Sequence, residues 1–246
     1  MIHALQTLSL DFILIAGYPQ SYMDEILDPF NLLIRLPIVL LALTVHEFSH
    51  AYFAYRMGDP TALSMGRCTL NPLKHLDPLG TICLMFAPIG WAKPVPVNPL
   101  NFRDPRKGDL ITSAAGPASN VVQAILFALV IRIIVSWGDD IVQYVGPGSV
   151  TGLSVLFLMC KEAVFINVGL AVFNCLPIFP LDGYHIAYQL MKPESQQRFA
   201  GMARYGIYII LGLVFIGYLG KIPILWYIIA PPANLIITYI AGLPNV

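Results

Sequence analysis

Long runs of apolar residues, separated by short polar segments, dominate this chain. A transmembrane helix needs about 20 predominantly apolar residues. We place the longer spans near residues 31–56, 110–136, 152–176, 204–220 and 222–243, and a shorter one that contains Asp11 near 4–18. The pattern predicts an all-α polytopic membrane protein with about six transmembrane helices. Pro231 and Pro232 are expected to break or kink the last helix.

The longest segment without a predicted span covers residues 57–108. It is rich in Pro, Gly and Asn, which favours strands and turns over a long helix. Within it, residues 79–90 are apolar but too short to cross a bilayer, so we expect a re-entrant or interfacial segment. We interpret residues 1–246 as one transmembrane domain, with a core at about 31–190, a small β or re-entrant region at 57–108, and C-terminal helices at 204–243.

The composition agrees with a membrane protein. Hydrophobic residues make up 57% of the chain and charged residues 11%, whereas a soluble domain carries about 25% charged residues. The mean hydropathy is +0.71. The formal net charge is zero, so nothing favours a nucleic-acid partner. Residues 1–17 lack a basic n-region and a clear cleavage site, so we expect no cleaved signal peptide.

Basic residues predict the orientation of the chain in the membrane. The segments at 18–30 and 138–150 contain acidic residues but no Lys or Arg. The loops after the second and fourth predicted spans hold the cluster Arg56, Arg67, Lys74, Lys93, Arg103, Arg106 and Lys107, and the cluster Lys192, Arg198 and Arg204. Because positive charge is retained on the cytoplasmic side, both basic loops are predicted to be cytoplasmic.

Candidate chemistry lies inside the second predicted span, in His46-Glu47-Phe48-Ser49-His50. Histidines four residues apart project from one face of a helix, so both can bind one zinc ion, with the intervening glutamate as general base. An ionisable residue at membrane depth costs about 2.5–3.5 kcal/mol on insertion scales. We therefore interpret His46 and His50 as zinc ligands near the cytoplasmic end of this span. The alternative is that the two histidines only satisfy one another between helices.

A third ligand is predicted at the end of the fourth span. A catalytic zinc usually has three protein ligands and one position for water. Asp182 follows Pro180 and Leu181, and the charge pattern brings this end of the span to the cytoplasmic side as well. A helix N-cap for residues 183–191 is the alternative role for Asp182. His185, three residues further on, is a candidate partner for the ligands.

These motifs resemble the site-two protease family of zinc intramembrane metalloproteases. That family pairs HExxH on one transmembrane helix with Asn-xx-Pro-xx-Pro-Leu-Asp-Gly on another, and here the second motif runs from Asn174 to Gly183. Residues 71–81 and 115–120 also resemble family segments. The resemblance implies three core transmembrane helices, a metal below the cytoplasmic membrane surface and no inserted PDZ domain. It also implies that Asn174 contacts the substrate or the oxyanion; an interhelical hydrogen bond is the alternative.

The sequence thus predicts an intramembrane zinc endopeptidase, in which Glu47 activates water and Asn174 assists. Its substrate would be a transmembrane protein in the bilayer, captured by residues 92–102 as an added edge strand. We expect a prokaryotic inner (plasma) membrane location, and leave a regulatory membrane partner or a homo-oligomer open. The alternatives are a metal-binding membrane transporter, for which Lys161 and Glu162 are the one hint of an ionisable path, and a catalytically inactive scaffold.

Overall fold

A computed structural model describes residues 29–77, 80, 92–145, 149–219 and 224–243. Most of these residues are helical, and the described part contains no β-strand. The α-helices are α1 (Pro29–Met57), α2 (Thr61–Ser64), α3 (Pro105–Val145), α4 (Ser149–Asn174), α5 (Asp182–Leu190), α6 (Pro193–Met202), α7 (Gly206–Leu219) and α8 (Ile224–Ile236). A π-helix, Ile237–Ala241, continues α8, and short 3₁₀-helices cover Pro72–Lys74, Pro99–Asn101 and Ala203–Tyr205.

Three of the described helices are long and apolar enough to cross a membrane. The qualifying stretches are Ile34–Met57 in α1, Pro105–Trp137 in α3 and Gly152–Asn174 in α4. They pack against one another, and α5 packs against α3. Alanines without exposed surface lie along these helices, for example Ala42 and Ala163, and small side chains let helix backbones approach closely. The chain is therefore an all-α membrane protein with a packed three-helix unit.

The C-terminal helices are shorter than the predicted spans. Apart from α1, α3 and α4, no helix in the described residues reaches spanning length, and the apolar stretch Tyr227–Ala241 falls short of it. Pro231 and Pro232 do not break the helix, because α8 runs through both before the π-helix begins. The predicted span at 4–18 and nearly all of the predicted re-entrant segment lie outside the described residues.

The loop between α1 and α3 differs from the expected strands. Its described part contains turns, short helices and one antiparallel β-bridge between Leu76 and Ala92. Asp59 organises this part, since its buried carboxylate accepts hydrogen bonds from the backbone N–H of Thr61 and Asn98 and from the Asn101 amide. Side-chain caps therefore take the place of a sheet ladder, and they fasten the loop to the end of α1.

A partly buried ion pair joins two of the long helices. Arg35 Nε on α1 lies 2.8 Å from Glu162 Oε2 on α4. Both side chains are largely withdrawn from solvent, so each charge compensates the other. Glu162 thus has an interhelical partner. Of the two residues that suggested an ionisable transport path, only Lys161 then remains.

Candidate metal centre

The two histidines of the HExxH motif converge on one point. His46 and His50 are one turn apart on α1, and their Nε2 atoms are 2.9 Å from each other. Both rings are buried. The Nδ1 atom of His50 lies 2.7 Å from the backbone carbonyl of Thr112 on α3, and the Nδ1 atom of His46 lies 2.6 Å from Asn120 Oδ1. Each ring therefore uses one nitrogen to contact α3 and directs the other towards its neighbour.

Asp182 completes this group from another part of the chain. It is the first residue of α5, and its Oδ2 atom lies 3.3 Å from Nε2 of both His46 and His50. Among the described residues, these three form the one group of His, Cys, Asp or Glu side chains that could hold a metal ion. The predicted proximity of residue 182 to the two histidines is thus present in the fold.

The donor set fits a zinc ion. Ligand atoms about 2.0–2.1 Å from a tetrahedral metal are about 3.3 Å apart, and the three distances here are 2.9, 3.3 and 3.3 Å. The Thr112 carbonyl can only accept a hydrogen bond, so Nδ1 of His50 carries the proton and Nε2 of the neutral ring presents a lone pair. Asp182 Oδ2 is buried and has no hydrogen-bond partner. A cation between these atoms would satisfy all three.

Helix α3 presents a stripe of polar and small residues to the centre. Asp109, Thr112, Gly116 and Asn120 recur at helical spacing, so they lie on one face of α3. A Cβ built on Gly116 would lie 2.5 Å from His46 Nε2 and closer still to His50 Nε2. The side of the centre that faces α3 is therefore bounded by bare backbone, and any larger residue there would collide with the imidazoles.

Polar contacts also hold α5, which carries Asp182, against α3. Gln189 Nε2 donates to Asp109 Oδ2 at 2.7 Å, and His185 Nδ1 lies 3.4 Å from Asp109 Oδ1. Burial would lower the pKa of His185, but the Asp109 carboxylate outweighs it and raises that pKa above its usual value. Burial likewise would raise the pKa of Asp182, whereas positive charge at the centre, on the imidazoles of His50 and His46 or on a bound cation, holds that pKa below its usual value. Asp182 would thus be ionised with a cation in place, as a metal ligand must be.

Glu47 receives a hydrogen bond from the loop. It is 1% exposed, and the backbone N–H of Val95 donates to its Oε2 atom at 2.7 Å. The loop segment is itself fixed at Lys93, whose N–H donates to the His75 carbonyl at 2.8 Å and whose carbonyl accepts from Arg67 Nη2 at 2.6 Å. The carboxylate of Glu47 therefore lies between α1 and a segment that the sequence places 48 residues away.

Two bacterial proteins are clearly similar to this chain. YwhC of Bacillus subtilis strain 168 is 38% identical over 206 residues, which cover 83% of this chain and 90% of YwhC. Rip2 of Mycolicibacterium smegmatis is 31% identical over 180 residues, which cover 71% of this chain and 64% of Rip2. Both are named putative zinc metalloproteases. This chain belongs to the site-two protease family. No family model and no solved structure matches it.

The structure brings together three of the five residues that the sequence singled out for this site-two protease. His46, His50 and Asp182 form the candidate ligand set, and Glu47 lies beside His46 on α1. Asn174 is buried at the last position of α4, eight residues before Asp182, and its predicted contact with substrate or oxyanion stays a prediction.

Several residues around the centre were not found by sequence reasoning. Asp109 and Thr112 were not considered, and Asn167 was not distinguished from the rest of its span. Val95 was included in the predicted substrate-binding segment 92–102, but its contact with Glu47 was not predicted. A usable signal existed for α3, since polar and small residues recur every three or four positions on an otherwise apolar helix. No such signal marks Val95, because its contribution is a backbone N–H, which every residue except proline possesses.

Proposed function

We propose that this protein is a zinc endopeptidase that cleaves peptide bonds within or near transmembrane segments of other membrane proteins. The convergence of Asp182 on His46 and His50, which lie inside an apolar spanning stretch, carries this proposal. At 1.5 Å per residue, His50 and His46 lie about 10 and 16 Å from the end of α1 at Met57. A peptide bond would therefore have to reach the centre below the membrane surface, on the side predicted to be cytoplasmic.

In this proposal Glu47 is the general base. A zinc ion held by the three ligands would lower the pKa of its bound water towards about 7 and polarise the scissile carbonyl. Glu47 takes a proton from the attacking water and returns it to the leaving amine. The hydrogen bond from Val95 fixes one carboxylate oxygen, so the carboxylate has a defined orientation. Asn174 is proposed to contact the substrate carbonyl from the end of α4.

The loop segment that contacts Glu47 is the proposed binding site for the substrate backbone. In an extended chain, successive residues direct their backbone groups to opposite sides. Lys93 and Val95 use their N–H groups within the protein, and Pro94 and Pro96 have none. The outer edge therefore offers carbonyl acceptors alone. A substrate strand that pairs with it would supply the N–H groups, which an unwound transmembrane helix has available.

The test is cleavage-site mapping. A panel of membrane proteins is co-expressed with the wild-type enzyme or with Glu47→Gln, and the panel proteins are then purified so that their cleavage sites can be mapped. Glu47→Gln keeps the shape of the side chain and the ligand set but removes the base. We expect zinc content to stay at the wild-type level while cleavage is lost. Glu194→Gln, an exposed carboxylate on α6, is the matched control and should cleave normally.

Two results would reject the proposal. One is unchanged cleavage by Glu47→Gln, which would exclude its role as base. The other is a set of cleavage sites confined to soluble segments remote from any membrane span. A separate test replaces residues 93–97 with a Gly/Ser segment; weaker substrate binding with normal zinc content is expected, and normal cleavage would refute the role of this segment in substrate binding.

A further inference from the structure

Two buried asparagines connect the candidate metal centre to α4, which carries none of the three proposed ligands. Asn120 on α3 and Asn167 on α4 both have 0% exposed surface. Asn120 Oδ1 lies 2.6 Å from His46 Nδ1, and Asn120 Nδ2 lies 2.9 Å from Asn167 Oδ1. Asn167 Nδ2 in turn donates to the backbone carbonyl of Ala163 at 2.9 Å. The contacts form one continuous row from α4 through α3 to the ring of His46.

The direction of every hydrogen bond in this row is set at its far end. A backbone carbonyl can only accept, so the Asn167 group that faces Ala163 must be the amide NH₂. The carbonyl oxygen of Asn167 then faces Asn120 and requires a donor, which turns the NH₂ of Asn120 towards it. That NH₂ also faces the Ala42 carbonyl at 3.4 Å. The oxygen of Asn120 is therefore left facing His46.

The last step defines the tautomer of a proposed metal ligand. Opposite an oxygen that can only accept, His46 Nδ1 must carry the proton, so Nε2 of the neutral ring has its lone pair directed at His50 and Asp182. If the Asn120 amide were rotated, its NH₂ would face Nδ1, the proton would move to Nε2, and the ring could not bind a cation there. The amide orientation thus decides whether the ring is a ligand.

We propose that Asn167 is a positioning residue for the metal centre: acting through Asn120, it holds His46 in the tautomer that binds the ion. The proposal rests on the metal site put forward above. This role differs from helix–helix association, to which a buried pair of hydrogen-bonded asparagines also contributes in membranes. Association of α3 with α4 needs only a hydrogen bond between the two helices. Positioning of His46 depends on which end of the Asn120 amide faces its ring.

The test uses Asn167→Leu in two backgrounds, the native chain and Asn120→Asp. A carboxylate at position 120 has two oxygens and no NH₂, so either orientation presents an acceptor to His46 Nδ1 and nothing remains for Asn167 to orient. The full-length protein in detergent micelles is titrated with Zn²⁺ against a chromophoric chelator, and the metal dissociation constant is compared between variants. Gln123→Leu is the matched control, because this amide also lies buried on α3, one turn from Asn120, and has no hydrogen-bond partner.

We expect Asn167→Leu to weaken zinc binding about tenfold in the native background, within the 10- to 100-fold range for loss of an outer partner of a metal ligand. In the Asn120→Asp background the same substitution should change the dissociation constant by less than about twofold. Gln123→Leu should bind zinc like the wild type. An equal loss in both backgrounds would assign Asn167 a structural role alone and overturn the proposal, as would no loss in the native background. Failure of the wild type to bind zinc would instead refute the metal site itself.

Discussion

Gly116→Ala tests whether the bare backbone of α3 is required beside the metal centre. The added Cβ would lie 2.5 Å from His46 Nε2, whereas ordinary van der Waals contacts begin near 3.4 Å. Relief would require the imidazoles to move away from their meeting point or α3 to move away from α1. Overpacking of this kind typically costs about 1–3 kcal/mol. If the ligands absorb it, zinc binding weakens by about 5- to 150-fold, since each 1.4 kcal/mol is a factor of ten.

The assay is a zinc competition titration of the purified protein, combined with a thermal unfolding curve of the metal-free form. Gly152→Ala is the matched control, because a Cβ there meets no atom within 4 Å and α4 carries no proposed ligand. We expect Gly116→Ala to lose zinc affinity and cleavage together while Gly152→Ala keeps both. Wild-type zinc affinity in Gly116→Ala would show that the three ligand atoms do not meet against α3, and the reasoning about the site would fail.

Three further predictions concern Gly183, Asp59 and the removal of zinc. Gly183→Ala should abolish zinc binding. The added Cβ would overlap the Cys175 backbone, which cannot move aside as a side chain can, so Asp182 would be displaced. Normal zinc binding would count against this packing. Burial would raise the pKa of Asp59, but hydrogen bonds from Thr61 and Asn101 lower it. The ionised carboxylate therefore stabilises the folded protein above about pH 3.9, and this contribution is lost as pH falls through the folded-state pKa. The difference in Tm between wild type and Asp59→Asn should therefore shrink below about pH 4, and a difference independent of pH would refute this. Removing zinc with a chelator should lower the Tm of the wild type, since a ligand that binds the folded state stabilises it; an unchanged Tm with metal demonstrably removed would contradict the proposed site.

The hydrophobic pattern predicted the long helices well. The predicted spans near 31–56 and 152–176 correspond to α1 (Pro29–Met57) and α4 (Ser149–Asn174), and the span near 110–136 lies within the longer α3. The loop at 57–108 was predicted less well, because composition indicates turns but does not choose between strands and short capped helices. There the outcome depends on individual side chains, above all the carboxylate of Asp59, which binds backbone N–H groups that a strand would otherwise use.

The sequence by itself determined the parts of the site that follow from local periodicity and composition. Helical spacing places His46 and His50 on one face, the apolar flanks put them within a stretch long enough to cross a membrane, and the charge pattern predicts their side. Tertiary structure alone decided how Asp182 approaches them, that Gly116 leaves room for them, and that Val95 and Asn167 support the residues beside them. These contacts join residues far apart in the chain through the packing of separate helices and a loop. No repeat within a single helix encodes such distances, so they exist only once the helices have packed.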